Sequence, residues 1–274
     1  MKIINHRLCK DDGTPYPFVE SPNQGSKLTA EFLVMHYTAL DSAQEAIALL
    51  AKAEHQASAH LVIGRDGSIT QLVPFDTVAW HAGKSFWDGR TGLNNSSIGI
   101  ELDNVGWLKK QGTKWVSWFG KQIPEDEVLE ATHKNDDKPM GWHTYPEAQL
   151  KAAMEVGALL VRTYKLKDVV GHDDIAPGRK LDPGPAFPMM NFRGRLMGRA
   201  EEQPVVHEVT ATLNVRSGPG TSNPTVPGSP LPLGTKVEIL AKQAEWRRVD
   251  VLQPVNGQMD IQGWVHQRYL KRLG

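Results

Sequence analysis

Two histidines and an aspartate, far apart in the chain, are the residue types best able to do chemistry together. His36 closes the run Phe32-Leu33-Val34-Met35. His172 follows Val169-Val170-Gly171, and Asp182 lies in Gly178-Arg179-Lys180-Leu181-Asp182-Pro183-Gly184. Two imidazole nitrogens and a carboxylate oxygen are ordinary zinc ligands, and three protein ligands leave a further position for water, as a catalytic site requires. Bound zinc lowers the pKa of that water toward neutrality. Glu101, in Ser97-Ile98-Gly99-Ile100-Glu101-Leu102, is the natural acceptor of the proton. An ionised Glu on a buried strand is costly without a partner or a task. Lys180, two residues before Asp182, could stabilise the oxyanion of an attacked amide. The spacing alone leaves a second reading open. The chain has ten histidines, so triplets arise by accident, and His36 and His172 would then be ordinary polar residues at strand ends. The ligands are also too far apart for a two-histidine helix motif.

Elements able to position these residues are legible around them. Glu31 to Tyr37 reads as a buried strand, and Thr38 to His55 as a helix capped by Asp41 or Ser42. Residues 58–63 and 69–73 read as strands joined by a turn at Arg65-Asp66-Gly67-Ser68. Residues 97–102 and Val169-Val170 read as further buried strands. Pro146 to Tyr164 carries Leu150, Ala153, Met154, Gly157, Leu160 and Val161 at helical spacing. Residues 107–141 are polar, with Trp107, Trp115 and Trp118, and read as an insertion or long loop, whose tryptophans either line a glycan groove or pack on one another. Strands alternating with helices predict an α/β domain with a mixed central sheet flanked by helices. Past residue 190 the pattern changes. Short β-rich runs at 205–209, 213–216, 236–240, 246–251 and 263–265, punctuated by Gly and Pro, predict a small all-β barrel with its tryptophans filling the core. The expected division is a first domain over 1–192, a linker over 193–206 and the barrel over 207–274.

Composition narrows the functions. Of 274 residues, 40% are hydrophobic and 23% charged, an ordinary globular balance. Lys+Arg and Asp+Glu both number 31, which argues against a nucleic-acid partner. A mean hydropathy of −0.40 and no long apolar run argue against a membrane-spanning helix. The one cysteine, Cys9, excludes an intrachain disulfide and reads as inert. No apolar stretch follows the early basic residues, so no signal peptide is expected. The chain is then expected in the cytosol, or at the cell wall after lysis or through a dedicated secretion machine. A monomer is expected.

Several of these segments resemble the N-acetylmuramoyl-L-alanine amidase type 2 family, which includes T7-type phage lysozymes and peptidoglycan-recognition proteins. Phe32-Leu33-Val34-Met35-His36-Tyr37-Thr38 resembles its first metal-ligand strand. Ser58-Ala59-His60-Leu61-Val62-Ile63 with Arg65-Asp66-Gly67 resembles its second strand and hairpin. Ala79-Trp80-His81-Ala82-Gly83 and Asn94-Asn95-Ser96-Ser97-Ile98-Gly99-Ile100-Glu101 follow in the family's order, and residues 170–184 are the closest match. The resemblance covers residues 30–190. It implies zinc held by His36, His172 and Asp182, Glu101 and Lys180 as the catalytic pair, and hydrolysis of the lactyl–L-alanine amide of peptidoglycan or muropeptides. Some members carry a base on the second strand, where this chain has Ala59, and that departure puts the load on Glu101. Trp80, His81, Arg179 and Asn95 are the expected substrate contacts: Trp80 and His81 as a cleft wall, Arg179 as a clamp on a stem carboxylate. His60 is expected to be structural. The alternatives are a peptidoglycan-binding protein without turnover and a zinc peptidase cutting within the stem. Residues 207–273, opening with Leu213-Asn214-Val215-Arg216-Ser217-Gly218-Pro219-Gly220, resemble a bacterial SH3 domain. That likeness implies wall targeting, with a structural appendage as the alternative.

Overall fold

The computed structural model describes residues 1–197, 206–258 and 261–273. They fall into two compact units, Met1–Arg199 and Ala200–Gly274. The first unit holds β1 (Phe32–Tyr37), α1 (Ala43–Leu50), β2 (Leu61–Ile63), β3 (Ile69–Gln71) and β4 (Ser97–Leu102). It continues with β5 (Trp107–Gln111), β6 (Lys114–Ser117), β7 (Gln122–Ile123), β8 (Val128–Thr132) and β9 (Pro139–His143). Then come α2 (Glu147–Tyr164), β10 (Asp168–Gly171), the one-turn helix α3 (His172–Ile175) and α4 (Met189–Leu196).

The central sheet has the order β10-β1-β4-β2-β3. The first four strands are parallel and β3 runs antiparallel, so the expected mixed sheet is present. Strands covered on both faces must be apolar throughout. Accordingly Leu33, Val34, Met35, Ile98, Ile100 and Val169 are fully buried. Helix α2 lays Ala153, Val156 and Leu160 on this sheet. Its buried Gln149 donates from Nε2 to the carbonyls of Ile63 (2.9 Å) and Asp103 (3.1 Å), past the ends of β2 and β4. Helix α1 is shorter than the sequence pattern suggests, ending at Leu50. Of the two caps expected, Ser42 acts, its hydroxyl accepting from the Glu45 N–H at 3.2 Å.

Residues 107–143 correct the expectation of a loop. They form a second, all-antiparallel sheet of order β7-β6-β5-β9-β8. Its strands are short, with Leu108, Trp115 and Ile123 packed inward and Lys109, Lys110, Gln111, Lys114 and Gln122 outward. The three tryptophans separate: Trp115 is buried, Trp107 half-buried and Trp118 exposed. The expected linker also differs at its start. Helix α4 buries Phe192 and Leu196 in the core of the first unit, so residues 193–196 are packed helix. Residues 198–205 lie outside the described residues.

The second unit is an all-β sheet of β11 (His207–Val209), β12 (Lys236–Gln243), β13 (Trp246–Val251), β14 (Gln262–His266) and β15 (Leu270–Arg272), ordered β14-β13-β12-β11-β15. Residues 213 and 216 make isolated bridges rather than a strand. The core is aliphatic, built from Val209, Val215, Leu231, Val237, Val249 and Val265. Trp246 and Trp264 do not fill it. Side chains alternate along a strand, and Trp246 and Trp264 have the opposite parity to the buried Val249, Val251 and Val265, on the half-exposed face. No helix among the described residues is long and apolar enough to cross a membrane.

His60 is structural, as its strand position suggests. It is fully buried, its Nδ1 accepts from the Gly99 N–H and its Nε2–H donates to the Thr77 carbonyl, both at 3.0 Å. Burial lowers its pKa from 6.5 to about 4. The unfolded chain therefore takes up the proton first as pH falls. The stabilisation is whole above the unfolded value and is lost on the way down to about 4, a difference of about 3 kcal/mol. In urea titrations of chelator-treated protein, His60→Gln should flatten the loss of stability between pH 7 and 4.5 by about 2–3 kcal/mol relative to wild type. Equal pH slopes for the two proteins would exclude this role.

Candidate active site

The parallel strands deliver three of the candidate residues to one end of the sheet. In the β1–β4 pairing His36 lies directly opposite Glu101, so both side chains leave the same face. In the β10–β1 pairing Gly171 lies opposite Met35, so His172 comes level with His36 as the chain turns into α3. Asp182 arrives from the following loop, anchored by its own carbonyl accepting from the Asp173 N–H at 2.8 Å.

The three side chains converge. His36 Nδ1 is 2.9 Å from His172 Nδ1 and 3.0 Å from Asp182 Oδ2, and His172 Nδ1 is 2.9 Å from the same oxygen. The two rings are near perpendicular, with centroids 4.5 Å apart. All three residues are buried. Burial, then His172, lowers the His36 pKa from 6.5 to about 4. Among the described residues this is the one grouping of His, Cys, Asp or Glu fit to hold a metal ion.

A cation fits this cluster better than a proton does. His172 Nε2 faces the Ala82 carbonyl at 3.2 Å; the Arg179 Nη2 lies farther off, at 3.4 Å, and its two hydrogens go to the Ala82 and Lys84 carbonyls. A carbonyl only accepts, so Nε2 carries the hydrogen, and in a neutral imidazole Nδ1 is then a lone pair. Asp182 Oδ2 therefore meets a lone pair at 2.9 Å. Two nitrogens and one oxygen are a zinc donor set, and tetrahedral zinc holds such atoms roughly 3.3 Å apart. The observed 2.9–3.0 Å is within a few tenths of an ångström of that.

Glu101 is half-buried beside the cluster, with its Oε2 shut from solvent. Its Oε2 has no hydrogen-bond partner among the described residues. Burial, and next the Asp182 carboxylate, push its pKa well above the ordinary 4.5, while Lys180 pulls the other way. The Lys180 ammonium, half-buried, acts electrostatically on both Glu101 and His36.

The expected substrate contacts divide. Trp80 is 38% exposed and free to face a ligand. His81 does not form a wall: it is buried, its Nδ1 lying 3.0 Å from His36 Nε2. The Arg179 Nη2 donates to the carbonyls of Ala82 (2.9 Å) and Lys84 (2.6 Å), so this guanidinium braces the chain rather than standing open as a clamp. Asn95 is exposed; its neighbour Asn94 has the structural task. Asn94 Oδ1 accepts from the N–H groups of both His81 (3.0 Å) and Ala82 (2.7 Å). The sequence motif held both asparagines, and nothing in it separates them.

Other supports lie outside the motifs. Tyr145 donates its hydroxyl to the Pro183 carbonyl at 2.8 Å. Gly184, at φ +72°, lets the Trp142 ring lie where a Cβ would come within 2.8 Å of it. His133 and Lys134, just past β8, pair with Asp173 at 3.0 and 2.9 Å, beside His172.

Comparison with known proteins identifies the family. The family profile described as N-acetylmuramoyl-L-alanine amidase matches residues 26–185, more than half of the chain. The chain belongs to the N-acetylmuramoyl-L-alanine amidase family. A bacterial SH3 domain profile matches residues 211–271 of the second unit. Among curated relatives, the N-acetylmuramoyl-L-alanine amidase AmiD of Escherichia coli K12 is 35% identical over 175 residues, covering 61% of this chain and 53% of AmiD. The 1,6-anhydro-N-acetylmuramyl-L-alanine amidase AmpD of the same organism is 38% identical over 138 residues, covering 50% of this chain and 56% of AmpD. The alignments thus span about half the length of these relatives. A solved complex of E. coli AmiD with anhydro-N-acetylmuramic acid-L-Ala-D-γ-Glu-L-Lys matches with a TM-score of 0.49 at 33% identity, covering 66% of this chain and 63% of that one.

Asn94→Ala leaves two N–H groups beside the cluster without their acceptor and should cost about 1–3 kcal/mol. Asn95→Ala, at an exposed position, should stay within about 0.5 kcal/mol of wild type. Urea midpoints of the two variants check this ranking, and a reversed order would remove Asn94 from the supporting framework.

Proposed function

We propose that this chain is a zinc-dependent N-acetylmuramoyl-L-alanine amidase, hydrolysing the amide between the lactyl group of N-acetylmuramic acid and L-alanine in peptidoglycan or muropeptides. The observation that carries the reading is the half-buried Glu101 carboxylate, one oxygen of which is shut from solvent and without a partner among the described residues, set directly across from His36 in the His36–His172–Asp182 cluster. A binding protein has no use for a desolvated carboxylate there, whereas hydrolysis of an amide needs a base beside the metal. Family membership and the names of the relatives support the bond.

His36, His172 and Asp182 would hold the ion. When bound, zinc supplies a water of near-neutral pKa and polarises the scissile carbonyl. Glu101 accepts a proton from the attacking water. Its raised pKa makes the resulting carboxylic acid stable enough to carry that proton to the departing L-alanine nitrogen. Lys180 offers its ammonium to the negative charge that develops on the carbonyl oxygen. Trp80 offers an exposed aromatic face to the muropeptide. The second unit, by its match to bacterial SH3 domains, would hold the enzyme on polymeric wall and raise the local substrate concentration through a tether.

Purified peptidoglycan digested with protein as isolated, chelator-stripped and zinc-reloaded tests the whole reading by mass of the products. Free stems beginning with L-alanine should appear, vanish on stripping and return with zinc. Glu101→Gln should lower the rate at least about 100-fold while zinc still binds. Cuts inside the stem would replace the amidase with a peptidase. Binding to wall without any cut would overturn the catalytic roles.

A further inference from the structure

His81 lies behind a metal ligand and has no part in the chemistry above. Its Nε2 is 3.3 Å from the Ser97 carbonyl oxygen and 3.4 Å from the Ser97 hydroxyl. That hydroxyl already donates to the Leu93 carbonyl at 2.6 Å, so it has no hydrogen left for His81. Nε2 must therefore carry the imidazole hydrogen and donate it to the Ser97 carbonyl. In the neutral ring Nδ1 is then a lone pair, and it faces His36 Nε2 at 3.0 Å. The hydrogen in that contact comes from His36. With its hydrogen on Nε2, His36 has a lone pair on Nδ1, the atom that meets His172 and Asp182.

We infer that His81 is a positioning residue: a two-histidine relay, from the Ser97 carbonyl through His81, fixes His36 in the tautomer whose Nδ1 lone pair serves the metal. The inference rests on the zinc reading above and adds the device that prepares one ligand. A ligand histidine usually donates its second N–H to a carboxylate, a carbonyl or water. Here a second imidazole stands between the ligand and the carbonyl.

The fold reserves the place for this ring. Gly99 lies on β4 beneath it, and a Cβ there would stand 2.5 to 2.8 Å from the His81 imidazole atoms. The backbone under the ring is held by Asn94. The next residue completes the logic, because the Ala82 carbonyl sets the tautomer of His172. One dipeptide, His81-Ala82, thus orients both ligand histidines, one by side chain and the other by backbone.

Imidazole ¹⁵N–¹H correlation spectra of the metal-free wild-type protein read the tautomers directly. Hydrogens on Nε2 of both His36 and His81 are expected; a hydrogen on Nδ1 of either overturns the relay. Zinc affinity by chelator competition gives the second readout. His81→Phe removes the acceptor, and Gly99→Ala displaces the ring while leaving its chemistry intact. Each should raise the zinc Kd about 10–100-fold with an unchanged far-ultraviolet spectrum. His81→Gln, whose amide can accept from His36 and donate to Ser97, should recover most of the affinity. Wild-type affinity in the Phe and Ala variants overturns the inference. Wild-type protein that binds no zinc overturns the zinc reading instead, and the tautomer spectra still decide the relay.

Discussion

The constraint on which the first unit depends is the approach of three electron-pair donors, His36 Nδ1, His172 Nδ1 and Asp182 Oδ2, to within 3.0 Å of one another in a buried site. Atoms of this kind repel without a shared cation, so each must be held against that repulsion by its own element. Parallel pairing answers for two of them. It places His36 opposite Glu101 and brings the end of β10 level with them, and the apolar strands beneath are buried on both faces. Asp182, on a loop, needs separate anchors. It takes them from the Asp173 N–H, the Tyr145 hydroxyl on Pro183 and the Trp142 ring over Gly184.

Those anchors give the second sheet a purpose within the fold. Trp142 belongs to β9, and His133 and Lys134 follow β8. The buried His133–Asp173 pair, with Asn135 donating to the Asp173 carbonyl at 3.0 Å, grips the turn of α3 that carries His172. A sheet with a small core of its own thereby stiffens the two segments that carry His172 and Asp182. Exposed ion pairs contribute little to such stiffness. The pairs that count here are shut away from solvent on the Asp173 side.

Much of this was legible in the sequence because the relevant patterns are local. Continuous apolar runs marked β1, β4 and β10, and the ligand and catalytic candidates were read at or near strand ends. What escaped depends on tertiary context. The second sheet alternates weakly, and the exposed run Lys109-Lys110-Gln111 and Lys114 interrupt its apolar positions, so it reads as loop. The role of His81 was misjudged because a histidine beside a tryptophan in a family motif suggests a cleft wall, whereas the space under Gly99 draws the ring inward. In sequence Arg179 reads as a clamp on a stem carboxylate, and only the fold shows the Ala82 and Lys84 carbonyls that occupy it. In the second unit, strand parity sends Trp246 and Trp264 away from the core that composition would assign them.

The charges of the site bear on how its parts work together. Desolvation of the Glu101 carboxyl, and next the Asp182 carboxylate, push its pKa well above the ordinary 4.5, and Lys180 offsets this only in part. A protonated Glu101 cannot act as a base. A divalent ion among His36, His172 and Asp182 would reverse the local balance, because its charge exceeds the Asp182 charge that opposes Glu101 ionisation. The carboxylate would then be the favoured form, though still a stronger base than an exposed glutamate because it remains desolvated. Residues that held such an ion would thus also favour the ionised form of Glu101.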